Sequence, residues 1–357
     1  MCKRNGRVFS ATTRLQFRYT PRRLWVTIVG SPEKFARYRD STAYVPMNTR
    51  LWMVVVALCC AAAHVEAADA RQPVWLVSTR AAPHCGDVQG SADKIGYWRM
   101  DDDCCWQPHE AEQFHATDDR AVPTVVFIHG NRTGADAAVE KAWYVYEVLQ
   151  AEAGGRAFRF VIWSWPSDRQ VRPGRRDARL KAVYSDVESY YLAEWLAAVK
   201  PDAPICLIGH SFGPRIITGA LHMLAGGEVA GRSLPESPVI KAASPQRPIR
   251  AMLLATASDC DWFLPGHRDG LALSLVDRLL ITQDCHDPVL RAYGNLYGRS
   301  GTPAMGLVGP ALAEGAEKVE VVDVTGEVNR RHDWRLYASA CPVRSRLAWY
   351  AFLEGSP

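Results

Sequence analysis

An apolar run at residues 204–208 (PICLI) leads without a spacer into Gly209, His210, Ser211, Phe212 and Gly213, and a helical apolar pattern follows over 214–224. A buried strand, a tight turn and a helix in that order leave few architectures open. The turn reverses within a few residues, so the chain meets itself at Gly209 and Gly213, where a Cβ has little room. It lifts the Ser211 hydroxyl above the end of the strand and sets the Phe212 N–H beside it, near the start of the helix. Gly-x-Ser-x-Gly alone is common. The strand before it makes Ser211 a candidate nucleophile rather than part of a structural Gly-Ser turn.

The rest of the sequence continues this alternation. Residues 73–78 (PVWLVS), 124–128 (TVVFI), 158–163, 249–256, 277–282 and 319–324 (VEVVDV) are short apolar runs, as strands buried on both faces read. Between them, 135–149 carries Ala138, Ala142, Val145 and Leu149 at helical spacing, and 177–199 is a long amphipathic stretch. The polar, cysteine-bearing stretch to Asp119 is expected to form an edge hairpin or an irregular excursion. Residues 226–246, rich in Gly, Ser and Pro, read as a surface excursion. The expectation is an α/β chain with a mostly parallel central sheet and helices on both faces. It forms one domain over residues 71–354, about the length one large core sustains.

Chemistry gathers at the ends of these strands. His129, Gly130 and Asn131 follow TVVFI, and the Asn131 N–H, with that of Phe212, would stabilise a tetrahedral oxyanion. The His129 side chain reads as a buried strand-end group holding the loop. Asn131-Arg132-Thr133 also matches a glycosylation sequon, which its place at this loop argues against. His332, eight residues beyond VEVVDV, is the candidate base, since it follows the last strand and keeps the chain order Ser, acid, His. His210 sits inside the turn and His267 and His286 come too early, while Asp333 reads as a loop cap. For the acid, Asp287 in DCHDPVL stands first, with Pro288 opening a helix behind it. Asp284 competes three residues earlier, and Asp259 and Asp261 stand after the preceding strand.

With these residues in view, the chain resembles bacterial uncharacterised α/β-hydrolases related to serine esterases and lipases, over roughly residues 73–350. Besides the two motifs, the WLVSTR opening, the WSWPSD segment at 163–168, the DCHDPVLRAYGNLYG segment at 284–298 and VTGEVNRRH ending at His332 carry the resemblance. It departs in the N-terminal extension and in ASDCD at 257–261. The resemblance implies an α/β-hydrolase fold, Ser211 as nucleophile, Asp287 as acid and His332 as base, and it implies no substrate. The expected reaction is acyl transfer from a small-molecule or lipid-like ester to water, without metal or organic cofactor. A non-catalytic cell-envelope scaffold is the rival from another class, and an acyltransferase is a third reading. Trp163, Trp165, Tyr293, Tyr297 and Trp334 stand near strand ends, either lining an apolar pocket or packing in the core.

The start of the chain reads separately. Residues 47–67 have the n-region, short apolar h-region (51–63) and small-residue cleavage pattern of a secretory signal peptide, which places the protein outside the cytoplasm, periplasmic or secreted. Any membrane contact would run through 51–63, too short for an ordinary span of roughly 20 residues. Residues 1–46 then read as a start codon assigned too early, with a basic targeting extension as the rival. Residues 1–40 hold ten Lys or Arg against Glu33 and Asp40, so of the chain's net +4 the part after Ala67 carries about −4. The basic balance belongs to the leader and supports no nucleic-acid partner. Seven cysteines follow Ala67. Cys260 with Cys285, and Cys85 with Cys104 or Cys105, are the expected pairings, and Cys206 is expected as a buried thiol.

Overall fold

The computed structural model describes residues 73–354, apart from 87, 173, 201, 236–247, 297–300 and 314. The signal-peptide and leader readings, and most of the excursion expected at 226–246, lie outside the described residues.

Nine strands form one sheet in the order β3-β2-β1-β5-β4-β6-β7-β8-β9. Seven run parallel: β1 (Val74–Ser78), β4 (Thr124–Ile128), β5 (Arg159–Ser164), β6 (Ile205–His210), β7 (Ile249–Leu254), β8 (Arg278–Gln283) and β9 (Val319–Asp323). At one edge β2 (Gly96–Met100) and β3 (Trp106–His109) add an antiparallel hairpin beside β1, the first of the two outcomes expected of the polar, cysteine-bearing stretch. Every residue of β4, β5 and β6 is buried, because parallel strands need cover on both faces and have no solvated side for alternation.

Helices flank the sheet in two groups, giving the α/β-hydrolase architecture. Ala135–Glu152, Trp334–Ser339 and Cys341–Tyr350 enclose, with Ile208, Met252 and Leu254 of the sheet, a small apolar cavity. Gly174–Ala198 and Gly213–Leu224 pack on each other. The expected anchors Ala138, Ala142, Val145 and Leu149 are all buried. Gly174–Ala198 is fastened to the sheet by Glu188, a fully buried carboxylate that accepts from Thr79 Oγ1 (2.6 Å), Trp163 Nε1 (2.9 Å) and the His84 imidazole. Several donors are what let a carboxylate remain in such a place. Among the described residues no helix is long and apolar enough to cross a membrane.

The thiols of Cys260 and Cys285 are free, so the disulfide expected between them does not form; Cys285 lies instead beside the Thr325 hydroxyl. Cys206 is buried in β6, and burial pushes its thiol far up, as a core position demands.

Candidate active site

The parallel strands all end on one side of the sheet, where their loops converge. Ser211 follows β6 at φ +60°, in the left-handed region that a non-glycine residue occupies only when its surroundings hold it. Its N–H donates to Leu254 O (2.9 Å) and its carbonyl accepts from Ala257 N (3.1 Å), which ties the turn to the end of β7. The glycines answer to crowding. A Cβ on Gly213 would stand 2.3 Å from Ile128 O, and one on Gly130 2.8 Å from Ser211 Cβ. The loop after β4 therefore lies directly against the serine turn. Phe212 occupies the N-cap position of Gly213–Leu224.

His332 Nε2 is 2.9 Å from Ser211 Oγ, and His332 Nδ1 is 2.6 Å from Asp287 Oδ2. Asp287 is an acceptor on this bond, so it fixes the imidazole proton on Nδ1 and leaves Nε2 as a lone pair facing the serine hydroxyl. The other carboxylate oxygen caps the helix Pro288–Arg291, accepting from Val289 N (2.8 Å) and Leu290 N (3.1 Å). Exposure rises along the relay from the fully buried Asp287 side chain to 16% for that of His332. The carboxylate is sealed and the imidazole is reachable.

Burial pushes the Asp287 carboxyl up, but the hydrogen bond and charge of His332, the Tyr337 hydroxyl and the Leu290 N–H outweigh it and hold the group below its ordinary value. Tyr337 donates its hydroxyl to Asp287 Oδ2 at 2.7 Å. Nothing in the sequence marks Tyr337, which lies in the helix Trp334–Ser339 just after His332 and depends on tertiary packing to reach the carboxylate.

Among the described residues none of the competing acids bonds to His332, although Asp284 lies 3.4 Å from the Tyr337 hydroxyl. Asp284 caps its own loop by accepting from His286 N (2.8 Å), and is raised by burial and then by the charge of Asp287. Asp259 accepts from Tyr293 Oη (2.7 Å), and Asp261 stands 3.4 Å from His267. Asp333 caps the Trp334–Ser339 helix through Arg335 N, as expected.

Among the described residues the Asn131 N–H makes no hydrogen bond, while its side-chain Oδ1 accepts from Arg132 N (2.8 Å). His129 is fully buried, stacks on Trp165 with rings 7° from parallel, and accepts from Trp165 N. It holds the loop. Burial keeps its imidazole well below the ordinary value and therefore neutral. His210 packs against the His332 ring at 5.1 Å, and among the described residues neither of its nitrogens has a hydrogen-bond partner. Burial first, then the neighbouring His332, keeps it neutral too. Trp163, Trp165, Tyr293 and Trp334 all belong to the core, whereas Tyr297 lies outside the described residues.

Residues 109–255 match the model of a family described as alpha/beta hydrolase of unknown function (DUF900). Among solved structures, the chain is remotely similar to the catalytic core domain of acetyl xylan esterase from Trichoderma reesei, with TM-score 0.31 and 15% identity over 57% of this chain and 83% of that one. A bacterial heroin esterase gives TM-score 0.33 and 15% identity over 85% and 90% of the two chains. Esterase B from Lactobacillus rhamnosis gives TM-score 0.33 and 10% identity over 85% and 95%. No curated protein matches the sequence.

Proposed function

We propose that the chain is a serine hydrolase that cleaves a carboxylic ester through an acyl-enzyme, with Ser211 as nucleophile, His332 as base and Asp287 as acid. The observation that carries this reading is the unbroken relay from Ser211 Oγ to His332 Nε2 (2.9 Å) and from His332 Nδ1 to Asp287 Oδ2 (2.6 Å). Ser211 Oγ attacks the ester carbonyl while its proton passes to His332 Nε2. The imidazolium is stabilised by the ionised Asp287, which keeps its own proton off. The oxyanion of the tetrahedral intermediate takes hydrogen bonds from the Asn131 and Phe212 N–H groups, a donor of this kind contributing about 3 kcal/mol in other serine hydrolases. His332 then gives the proton to the departing alkoxide, and the alcohol leaves. Water, deprotonated by the same imidazole, attacks the acyl-serine, and collapse returns the proton to Ser211 and releases the acid.

The expected test is turnover of p-nitrophenyl esters from acetate to palmitate by the full chain and three variants. Ser211→Ala and His332→Ala are expected to lose most of kcat, and Asp287→Asn about 10³–10⁴-fold, because the amide favours the wrong imidazole tautomer. Wild-type rates in all three folded variants would refute the assignment. Export through the 47–67 signal sequence is part of the same proposal, and N-terminal sequencing of the mature protein checks it by the expected start at Ala68.

A further inference from the structure

The body of the chain is acidic, yet residues 168–181 (DRQVRPGRRDARLK) hold six basic residues against two acidic ones, and this segment follows Ser167, whose hydroxyl donates to the carbonyl of Gly130 (3.0 Å) in the loop that lies against Ser211. Arg169, Arg172, Arg175, Arg176 and Arg179 are exposed, as is Arg132 on the adjoining loop. Among the described residues none of these six arginines forms an ion pair. The nearby Asp168 is taken by Arg80 at 2.9 Å. Asp177 is buried and turned inward, accepting from Gln170 N (2.8 Å) and Val171 N (3.1 Å).

Two features make the cluster more than a solvated charged face. First, the guanidiniums converge: a Cβ on Gly174 would stand 2.8 Å from Arg132 Nη2 and 3.3 Å from Arg169 Nη2, so two like charges approach the same small volume with no carboxylate between them. Arg175 and Arg176 add positive charge to the first turn of the helix Gly174–Ala198, the end where the macrodipole is already positive, and Arg175 with Arg179 is a like-charge pair one turn apart. Among the described residues no carboxylate pairs with these guanidiniums, and an anion bound between them would offset their repulsion. Second, the loops that carry the arginines are fixed rather than free. Asp177 clamps 170–171 to the helix, and Arg132 N donates to Ser167 O at 2.8 Å. Arg132 is adjacent to Asn131 and holds φ +57°, in the left-handed region.

We propose that this arginine cluster receives an oxyanion on the substrate, a carboxylate or phosphate carried on the part of the ester that runs from the scissile carbonyl past Asn131 to the rim. The inference rests on the Ser211 hydrolase reading and names its substrate class: small soluble esters bearing a negative charge. Planar guanidinium pairs suit both anions, which they bind through paired N–H donors.

The test compares p-nitrophenyl alkanoates with ω-carboxyacyl p-nitrophenyl esters of equal chain length, using the full chain at low ionic strength and at about 1 M NaCl, where the screening length falls to about 3 Å. The charged ester is expected to show kcat/KM at least about tenfold higher at low salt, in the range that a focused field supplies, with the preference shrinking at high salt. In Arg169→Gln/Arg176→Gln the ratio of charged to neutral kcat/KM is expected to fall toward one. Inorganic phosphate is expected to inhibit the charged ester more than the neutral one if the cluster also accepts phosphate, and carboxylate alone is the ligand if it does not. Turnover of both esters without preference, or a preference untouched by the double variant, overturns this inference and leaves the hydrolase reading standing. Cosedimentation with phosphatidylglycerol vesicles without any preference among soluble esters overturns it in favour of a lipid surface. If neither ester is turned over and Ser211 takes no fluorophosphonate, both readings fall together.

Discussion

Asp287 accepts four hydrogen bonds, from Val289 N, Leu290 N, Tyr337 Oη and His332 Nδ1. Two come from its own helix and fix the carboxylate's plane, and Tyr337 shares the oxygen that holds His332. A donor to the ionised form lowers a carboxyl pKa, so Tyr337→Phe is expected to raise that of Asp287. The more basic carboxylate then holds the imidazolium more tightly, so the acid limb of the kcat/KM profile should move to higher pH, with kcat lower by about tenfold, the order expected for one hydrogen bond to a charged group. A pH–rate series on both proteins checks this, and a purely structural tyrosine would lower stability without moving the limb. Ser211, His332 and Asp287, which the structure brings within hydrogen-bond reach of one another, could be picked out as candidates from sequence because each stands at a fixed place relative to a strand end. Tyr337 could not, since its contact is set by how a later helix packs. Sequence also left Asp284, Asp259 and Asp261 open, and only the three-dimensional course of the loops separates them from Asp287.

At the scale of elements, the serine turn depends on how closely the helix Gly213–Leu224 approaches β4. The Gly213 position leaves a Cβ 2.3 Å from the Ile128 carbonyl, and backbone on both sides cannot move aside cheaply. Gly213→Ala is expected to destabilise by about 1–3 kcal/mol, the usual cost of overpacking, and to lower ester turnover by disturbing the Phe212 N–H. Urea denaturation and kcat measured on the same sample check both effects. Strands β4, β6 and β8 were legible as apolar runs, and the antiparallel edge hairpin as a polar, cysteine-bearing stretch. Their lateral order was not, because sheet neighbours such as β4 and β6 are far apart in sequence. The long helix begins at Gly174, ahead of the expected Asp177, because Asp177 turns back onto the Gln170 and Val171 N–H groups from inside the first turn. Sequence periodicity does not register such a bond.

For the whole molecule, the fold carries a buried ion pair far from the serine turn in sequence. Arg159 at the start of β5 reaches Asp118, Thr117 Oγ1 (2.9 Å), Phe114 O (3.2 Å) and Thr124 Oγ1 (3.1 Å), and lies over the Phe114 ring. Burial pushes the Asp118 carboxyl up, but His115, Arg159 and Lys200 outweigh it, so its folded pKa lies below the ordinary 3.8. A depressed carboxyl pKa contributes stability that is complete above the unfolded value and is lost as pH falls through the folded one. Asp118→Asn is therefore expected to cost about 3–5 kcal/mol at neutral pH, since it leaves a buried guanidinium without its counter-charge. The gap from wild type should narrow below about pH 4, which denaturation across a pH series measures. The charge distribution has the same scale: an acidic body with one basic segment beside the strand ends, legible as composition but assigned a role only by its position in the fold.

The Ser211 assignment is tested most directly by intact mass of the full-length protein after exposure to a fluorophosphonate, with peptide mapping of the adduct and Ser211→Ala in parallel. One adduct is expected, carried by Ser211, with loss of ester turnover in step with labelling and no adduct in the variant. A folded wild type that takes no adduct, or takes it at another residue with turnover intact, would contradict it.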